Sequence, residues 1–167
     1  NFSFVEARWE HELAGNADPI QVLNPIAAPL AVMRSGLVGS LVQILRNNLA
    51  RKAPRVRIFE IGRVFSRDAC VTSTLSSVAG VRQPLRVAGL AWGPVDQLQW
   101  GEAERSVDFF DVKGDVEQLL APRAVTFVAA EHPAMHPGRC AAVVVDGQAI
   151  GHVGEFHPRW LQACELP

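Results

Sequence analysis

The chain has no excess of charge of either sign: 16 Lys and Arg stand against 17 Asp and Glu, a formal net charge of −1 over 167 residues. No bulk positive field is present to hold nucleic acid or an anionic membrane surface, so any RNA contact must be local. Cysteine is scarce. Cys70, Cys140 and Cys164 are widely scattered with no C-x-x-C pair. This gives neither a disulfide framework nor a cysteine zinc site, and it suits a reducing, cytoplasmic setting. Long apolar runs are also missing. Stretches such as 141–145 fall far short of the roughly 20 residues that cross a bilayer, so neither a membrane span nor a membrane partner is expected. Repeats and low-complexity tracts are absent, and charged residues are few at 20% while hydrophobic residues reach 49%. Such a composition excludes disorder. At roughly 150 residues per domain, the length predicts a single domain over 1–167. The start at Asn1, running straight into Phe2-Ser3-Phe4-Val5 with no basic leader, reads as a piece of something longer. The apolar balance suggests that a neighbouring domain or subunit covers part of the surface.

Periodicity then predicts the elements. Phe2, Phe4 and Val5 read as a strand end before a short helix over 5–13. Gln21-Val22-Leu23 reads as a short strand, and Asn24-Pro25 and Ala28-Pro29 break regular structure after it. Leu37, Leu41, Ile44, Leu45 and Leu49 recur at helical spacing, with Ser35 as the expected N-cap and Pro54 as the stop. Residues 56–65 are β-branched and aromatic with apolar side chains on both faces, the pattern of a central strand. A loop is expected over 67–83 and a strand over 86–92, while 94–106 is ambiguous, with Trp100 buried if a short helix forms there. Asp111 is the expected cap of a helix whose face is Val112, Val116, Leu119 and Leu120, ended by Pro122. Strands follow over 125–129, 141–145 and 149–156, the last two joined by Asp146-Gly147, a dipeptide suited to a tight hairpin. Strands outnumber helices, which predicts an α+β fold with a mainly antiparallel sheet flanked by helices.

The motifs that carry chemistry are weak when taken singly. His132 and His136 have the i, i+4 spacing of zinc ligands, but Pro133 and Pro137 break the helix this needs and no third ligand is evident. The three His-Pro dipeptides read as strand ends and turns. No G-x-S-x-G elbow is present. Gly36-Leu37-Val38-Gly39-Ser40 lacks the lysine of a phosphate loop, and small residues at the start of a closely packed helix explain it. Fourteen of the sixteen basic residues are arginine, several of them between Arg46 and Arg67, which suits carboxylate or phosphate pairing as well as a solvated helix end.

Taken together, three segments resemble a known family. The first comprises Leu23-Asn24-Pro25-Ile26, Val32-Met33-Arg34-Ser35-Gly36-Leu37, Asn47-Asn48 and Arg57-Ile58-Phe59-Glu60-Ile61-Gly62-Arg63-Val64-Phe65. The second is Phe110-Asp111-Val112-Lys113-Gly114-Asp115-Val116-Glu117, and the third joins His136-Pro137-Gly138-Arg139 to Ile150-Gly151-His152-Val153-Gly154-Glu155-Phe156-His157-Pro158. In order and spacing these resemble the catalytic-like core of the bacterial phenylalanyl-tRNA synthetase beta subunit. The resemblance implies a class II aminoacyl-tRNA synthetase-like antiparallel sheet without catalytic function, truncated here at both ends: an upstream helix and a downstream strand are expected outside 1–167. It implies an alpha-subunit partner in a heterotetramer, tRNA(Phe) reached through the whole complex, and ATP and Mg serving the whole enzyme, with no cofactor or metal in this piece.

A class II site needs F-R-x-E and G-x-G-x-x-R arginines to hold ATP. Here Ile58-Phe59-Glu60-Ile61-Gly62 and Gly151-His152-Val153-Gly154-Glu155 lack them, so no residue is expected to be catalytic. The structural and interface candidates are Asn24, Pro25, Arg34, Phe59, Glu60, Gly62, Arg63, Asp111, His136, Gly138, Arg139, Glu155 and His157. Two other readings compete: a retained adenylate-type small-molecule site, favoured if one pocket holds Arg34, Glu60 and Arg139, and a stand-alone RNA-binding module.

Overall fold

The computed structural model describes residues 3–101 and 103–166 as an α+β chain of four helices and small antiparallel sheets. It divides into two compact units, one formed by the chain up to Asn47 with Ile58–Leu90, the other by Asn48–Arg57 with the chain from Ala91 onward.

In the first unit, β1 (Phe4–Val5) pairs antiparallel with β2 (Val32–Met33), Phe4 opposite Met33. Phe2, expected ahead of β1, lies outside the described residues. Helix α1 (Ala7–Glu12) follows because Trp9 and Leu13, four apart, both reach the core. Trp9 lies against Gly39 near the start of α2 (Val38–Ala50): a Cβ on Gly39 would stand 2.5 Å from Trp9 Cε3. The small residues read from the sequence at that helix start are therefore a packing requirement. Leu41, Val42 and Leu45 form the buried stripe of α2. Ser35, expected to cap it, lies too far upstream and turns to Glu10 instead. Gln21 makes a single bridge to Val32 instead of a strand, and Leu23 is exposed.

Among the described residues, strand β3 (Val56–Arg63) is paired with β6 (Leu85–Trp92) alone. The expected central strand is thus one of two, with Phe59 and Ile61 open to solvent. Between them, β4 (Ser66–Arg67) and β5 (Val81–Arg82) close the 67–83 segment as a short antiparallel pair.

In the second unit, α2 ends at Ala50, and Lys52, with a φ of 59°, and the bond from Ala53 N to Asn48 O (3.1 Å) reverse the chain after it. Arg55 and Arg57 donate to the carbonyls of Trp92, Pro94 and Val95. Gly93 is required beside them: its φ is +83° and a Cβ would meet Pro54 O at 2.5 Å. No helix forms in the described part of 94–106, and Trp100 is fully exposed. The bridge between Pro94 and Ser106 pins only the ends of that loop, so nothing covers its tip among the described residues. Glu102 lies outside them.

Helix α3 (Phe109–Leu120) starts one turn earlier than expected. Asp108 is the cap and Asp111 completes a capping box as its third residue. Its inner face is Phe109, Val112, Val116 and Leu120, while Leu119 points outward. That face covers Ala141, Val143 and Val153 on the antiparallel sheet β7 (Val125–Ala129), β8 (Met135–Val145) and β9 (Gln148–Phe156), in the order β7-β8-β9. Asp146 (φ 51°) and Gly147 (φ 76°) make the two-residue turn that sets Val145 opposite Gln148. Helix α4 (Pro158–Ala163), not anticipated from the sequence, is capped by the His157 ring and has Pro at its first position.

The three His-Pro dipeptides repeat one device. Nδ1 of His132, His136 and His157 accepts the N–H of Ala134, Gly138 and Arg159, at 3.2, 3.0 and 3.0 Å. The acceptor must be unprotonated. Burial lowers the pKa of His132 below 6.5, helped by His152 at 5.2 Å between ring centroids; desolvation, then Arg159 and His136, lowers that of His157. The unfolded chain therefore binds these protons first, so the contribution is complete above pH 6.5 and is lost as pH falls below it. Unfolding midpoints followed down to about pH 5 should be level above that point and decline beneath it, with a smaller decline in His132→Asn, whose amide oxygen accepts without titrating. A flat profile in the parent chain contradicts this. Independently, Gly147→Ala should cost roughly 1–2 kcal/mol in urea unfolding, because a Cβ resists the left-handed backbone there.

Candidate functional site

Two charged residues are buried among the described residues, Arg34 and Glu10, each 3% exposed, and they organise the first unit. Arg34 follows β2 directly. Its N–H donates to Ser3 O (3.0 Å) and its carbonyl accepts from Phe65 N (2.8 Å), so the main chain holds it from two sides. Its side chain reaches Glu60 on β3: Nη1 lies 2.5 Å from Oε1, with the two side chains 4% and 11% exposed. Nε donates to Arg63 O (3.1 Å) and Nη1 to Ser40 Oγ (3.3 Å). Gly62 leaves the space the guanidinium fills, since a Cβ there would stand 2.3 Å from Nη2. Arg34, Glu60, Gly62 and Arg63 thus form one constellation tying the β2–α2 connection to β3.

Beside it, the Glu10 carboxylate on α1 accepts from Ser35 N (2.9 Å), from Ser35 Oγ and from Asn16 Nδ2 (3.2 Å). The sequence reading missed Glu10, Asn16 and Ser40. The available signal was the placement of Glu10 directly after Trp9 within a helix whose apolar residues point inward.

The remaining candidates lie elsewhere. Asn24 and Pro25 are exposed in the irregular segment. Phe59, read as a packing residue, is 75% exposed because no further element covers its side of β3 among the described residues. Asp111 pairs with Arg105 at 2.6 Å, which holds its carboxyl well below the usual carboxylate range. In the second unit Arg139 pairs with Glu155 across the last hairpin at 2.5 Å, and the rings of His136 and His157 stack with centroids 6.2 Å apart. Arg34 and Arg139 therefore serve different carboxylates in different units. The Arg34–Glu60 pair is a closed ion pair: its charge is spent on Glu60 and on protein oxygens, and it presents no free fork to a phosphate. No buried side-chain nitrogen or oxygen among the described residues lacks a partner.

Against known sequences, a family profile described as the phenylalanyl tRNA synthetase beta chain CLM domain matches residues 1–167. The chain belongs to this family. It is 60% identical to the phenylalanine–tRNA ligase beta subunit of Ralstonia nicotianae over 100% of this chain and 21% of that protein. It is 58% identical to that of Cupriavidus pinatubonensis over 99% and 20%, and 59% identical to that of Burkholderia lata over 100% and 21%. The chain spans about a fifth of the length of the curated relatives it matches.

The CLM-domain constellation yields a direct test. Arg34→Ala takes the guanidinium away from a Glu60 side chain only 11% exposed, and removing one partner of such a buried pair costs about 3–5 kcal/mol; Arg34→Lys, losing the fork that serves Glu60 and Arg63 O together, should recover only part of this. Gly62→Ala should destabilise by displacing the guanidinium. Urea unfolding measures all three, and an Arg34→Ala loss within 1 kcal/mol would contradict a buried pair.

Proposed function

We propose that residues 1–167 are a noncatalytic, class II synthetase-like core module of a phenylalanine–tRNA ligase beta subunit. In this reading the module buttresses the alpha subunit, which carries the site for phenylalanine and ATP, and two alpha and two beta chains make the working enzyme. The observation that carries it is the use made of the arginines. A phosphate clamp needs guanidinium groups preorganised toward an open site. Here Arg34 is closed on Glu60, Arg55 and Arg57 on main-chain carbonyls, and Arg139 on Glu155. Family membership supports the assignment to the beta chain.

In this reading ATP and Mg serve the rest of the enzyme. Contact with tRNA(Phe) is made through the whole complex, in keeping with a net charge of −1. No helix among the described residues is long and apolar enough to cross a membrane, and a cytoplasmic location fits the three scattered cysteines.

Phenylalanine-dependent exchange of pyrophosphate into ATP separates this from an adenylate-type site. The assembled alpha and beta chains should exchange, and the folded 167-residue chain alone should stay at background. Exchange by that chain alone overturns the proposal.

A further inference from the structure

A cavity of about 380 Å³ opens in the first unit beside β1, β2 and the β4–β5 pair. Pockets of roughly 300–1,000 Å³ take a small molecule or one residue of a polymer, and this one is at the small end. Its walls are apolar, with Phe4, Met33, Phe65 and Val81 among them, and its polar groups are the amides of Gln21 and Gln83. A side-chain amide offers donors and an acceptor together, which suits the edge of a nucleobase and is wasted on a hydrocarbon.

The backbone then places charge beside the cavity. Val64 N bonds Pro84 O (3.1 Å) and Ser66 pairs with Arg82, so the chain stays extended from β3 into β4. Val64 is buried, and the alternation of an extended chain sends Arg63, Phe65 and Arg67 to the opposite face, each arginine roughly 7 Å along the chain from Phe65. Arg63 Nη1 donates to Gln83 O (2.8 Å), and Arg67 stands opposite Val81 across the β4–β5 register, so both arginines adjoin residues that line the cavity. Both are exposed. Arg67 is paired with Asp18 (2.9 Å), but both side chains of that pair are more than half exposed, and so wet a contact holds weakly against a phosphate. A base stacks on an aromatic ring and meets amides with its edge, while guanidinium groups take the phosphates on either side of it. An acidic peptide would use the arginines and leave the two amides idle.

We propose that this cavity receives one unpaired nucleotide of an RNA chain, its base against Phe65 and its adjoining phosphates on Arg63 and Arg67. The proposal rests on the reading of the module as part of a tRNA ligase and gives the module a direct, local contact with tRNA within the complex. The test irradiates the assembled enzyme, with full-length beta chain, on unmodified tRNA(Phe) with short-wave ultraviolet light and identifies the RNA-bearing peptides by mass. Adducts on Phe65 or Phe4 are expected, falling roughly five-fold or more in the double variant Arg63→Gln/Arg67→Gln, whose log–log dependence of KM for tRNA(Phe) on salt should flatten by about 1.4, at roughly 0.7 per phosphate. No adduct on the cavity peptides of the parent enzyme overturns the proposal whether or not the variant folds. It is equally overturned by an adduct undiminished in a folded variant, by an unchanged salt slope, or by an adduct that AMP or UMP displaces while tRNA stays bound, which marks a site for free mononucleotides. Pyrophosphate exchange by the parent enzyme and by the 167-residue chain is read without tRNA, so failure of the nucleotide site and failure of the noncatalytic reading leave different records.

Discussion

One buried ion pair sets the arrangement of the first unit. Taking Arg34 and Glu60 out of water carries a desolvation penalty of several kcal/mol per ion, which their attraction offsets only when the remaining donors are also satisfied. The Arg63 carbonyl takes Nε and the Ser40 hydroxyl shares Nη1 with Glu60, which supplies part of that compensation. Each requirement then fixes something else. Position 62 must have no side chain, Arg34 must be held by its own main chain to Ser3 and Phe65, and α2 must begin where Ser40 can accept. Glu10 and Ser35 add a second polar tie between α1 and the same segment. With its Nε and Nη1 committed to Arg63 O, Ser40 Oγ and Glu60, Arg34 is turned inward and not toward an open nucleotide site, which supports the noncatalytic reading.

The second unit relies on different chemistry. Its sheet and α3 share an apolar interface, and its turns are closed by imidazole nitrogens and by arginines that saturate main-chain carbonyls. Burial, followed by its neighbour Arg55, lowers the pKa of Arg57, which nonetheless keeps three carbonyl acceptors within 2.9 Å. The abundance of arginine over lysine suits this use: a planar fork serves two acceptors at once, which an ammonium does not. The arginine cluster visible between 46 and 67 is in these cases part of the folded framework and not a basic surface.

Legibility in the sequence followed the range of the interaction. The Asp146-Gly147 turn, strand β7 and the stripe of α2 are local matters of dihedral preference and periodicity, and the sequence reading placed them closely. The cap of α3 was misplaced because both Asp108 and Asp111 belong to one capping box and a sequence reader sees two equivalent aspartates. Helix α4 is only six residues long, too short for periodicity to register. Burial was harder still. Trp100 and Phe59 look like core residues by type, and their exposure depends on which elements lie over them. The site residues Arg34, Glu60, Gly62 and Arg63 were named from their motifs, but the contact between them spans 26 residues of chain, and nothing in the sequence showed that the arginine and the glutamate neutralise each other.

The most direct measurement is a double-mutant cycle on Arg34→Met and Glu60→Leu in the assembled enzyme, reading both unfolding and phenylalanine charging per assembled complex. A structural pair gives single variants that each lose several kcal/mol, a double variant that loses much less than their sum, and unchanged KM for ATP and phenylalanine wherever assembly is retained. A double variant that assembles fully yet charges tRNA with a raised KM for ATP would contradict the account, because it would place Arg34 in a nucleotide site.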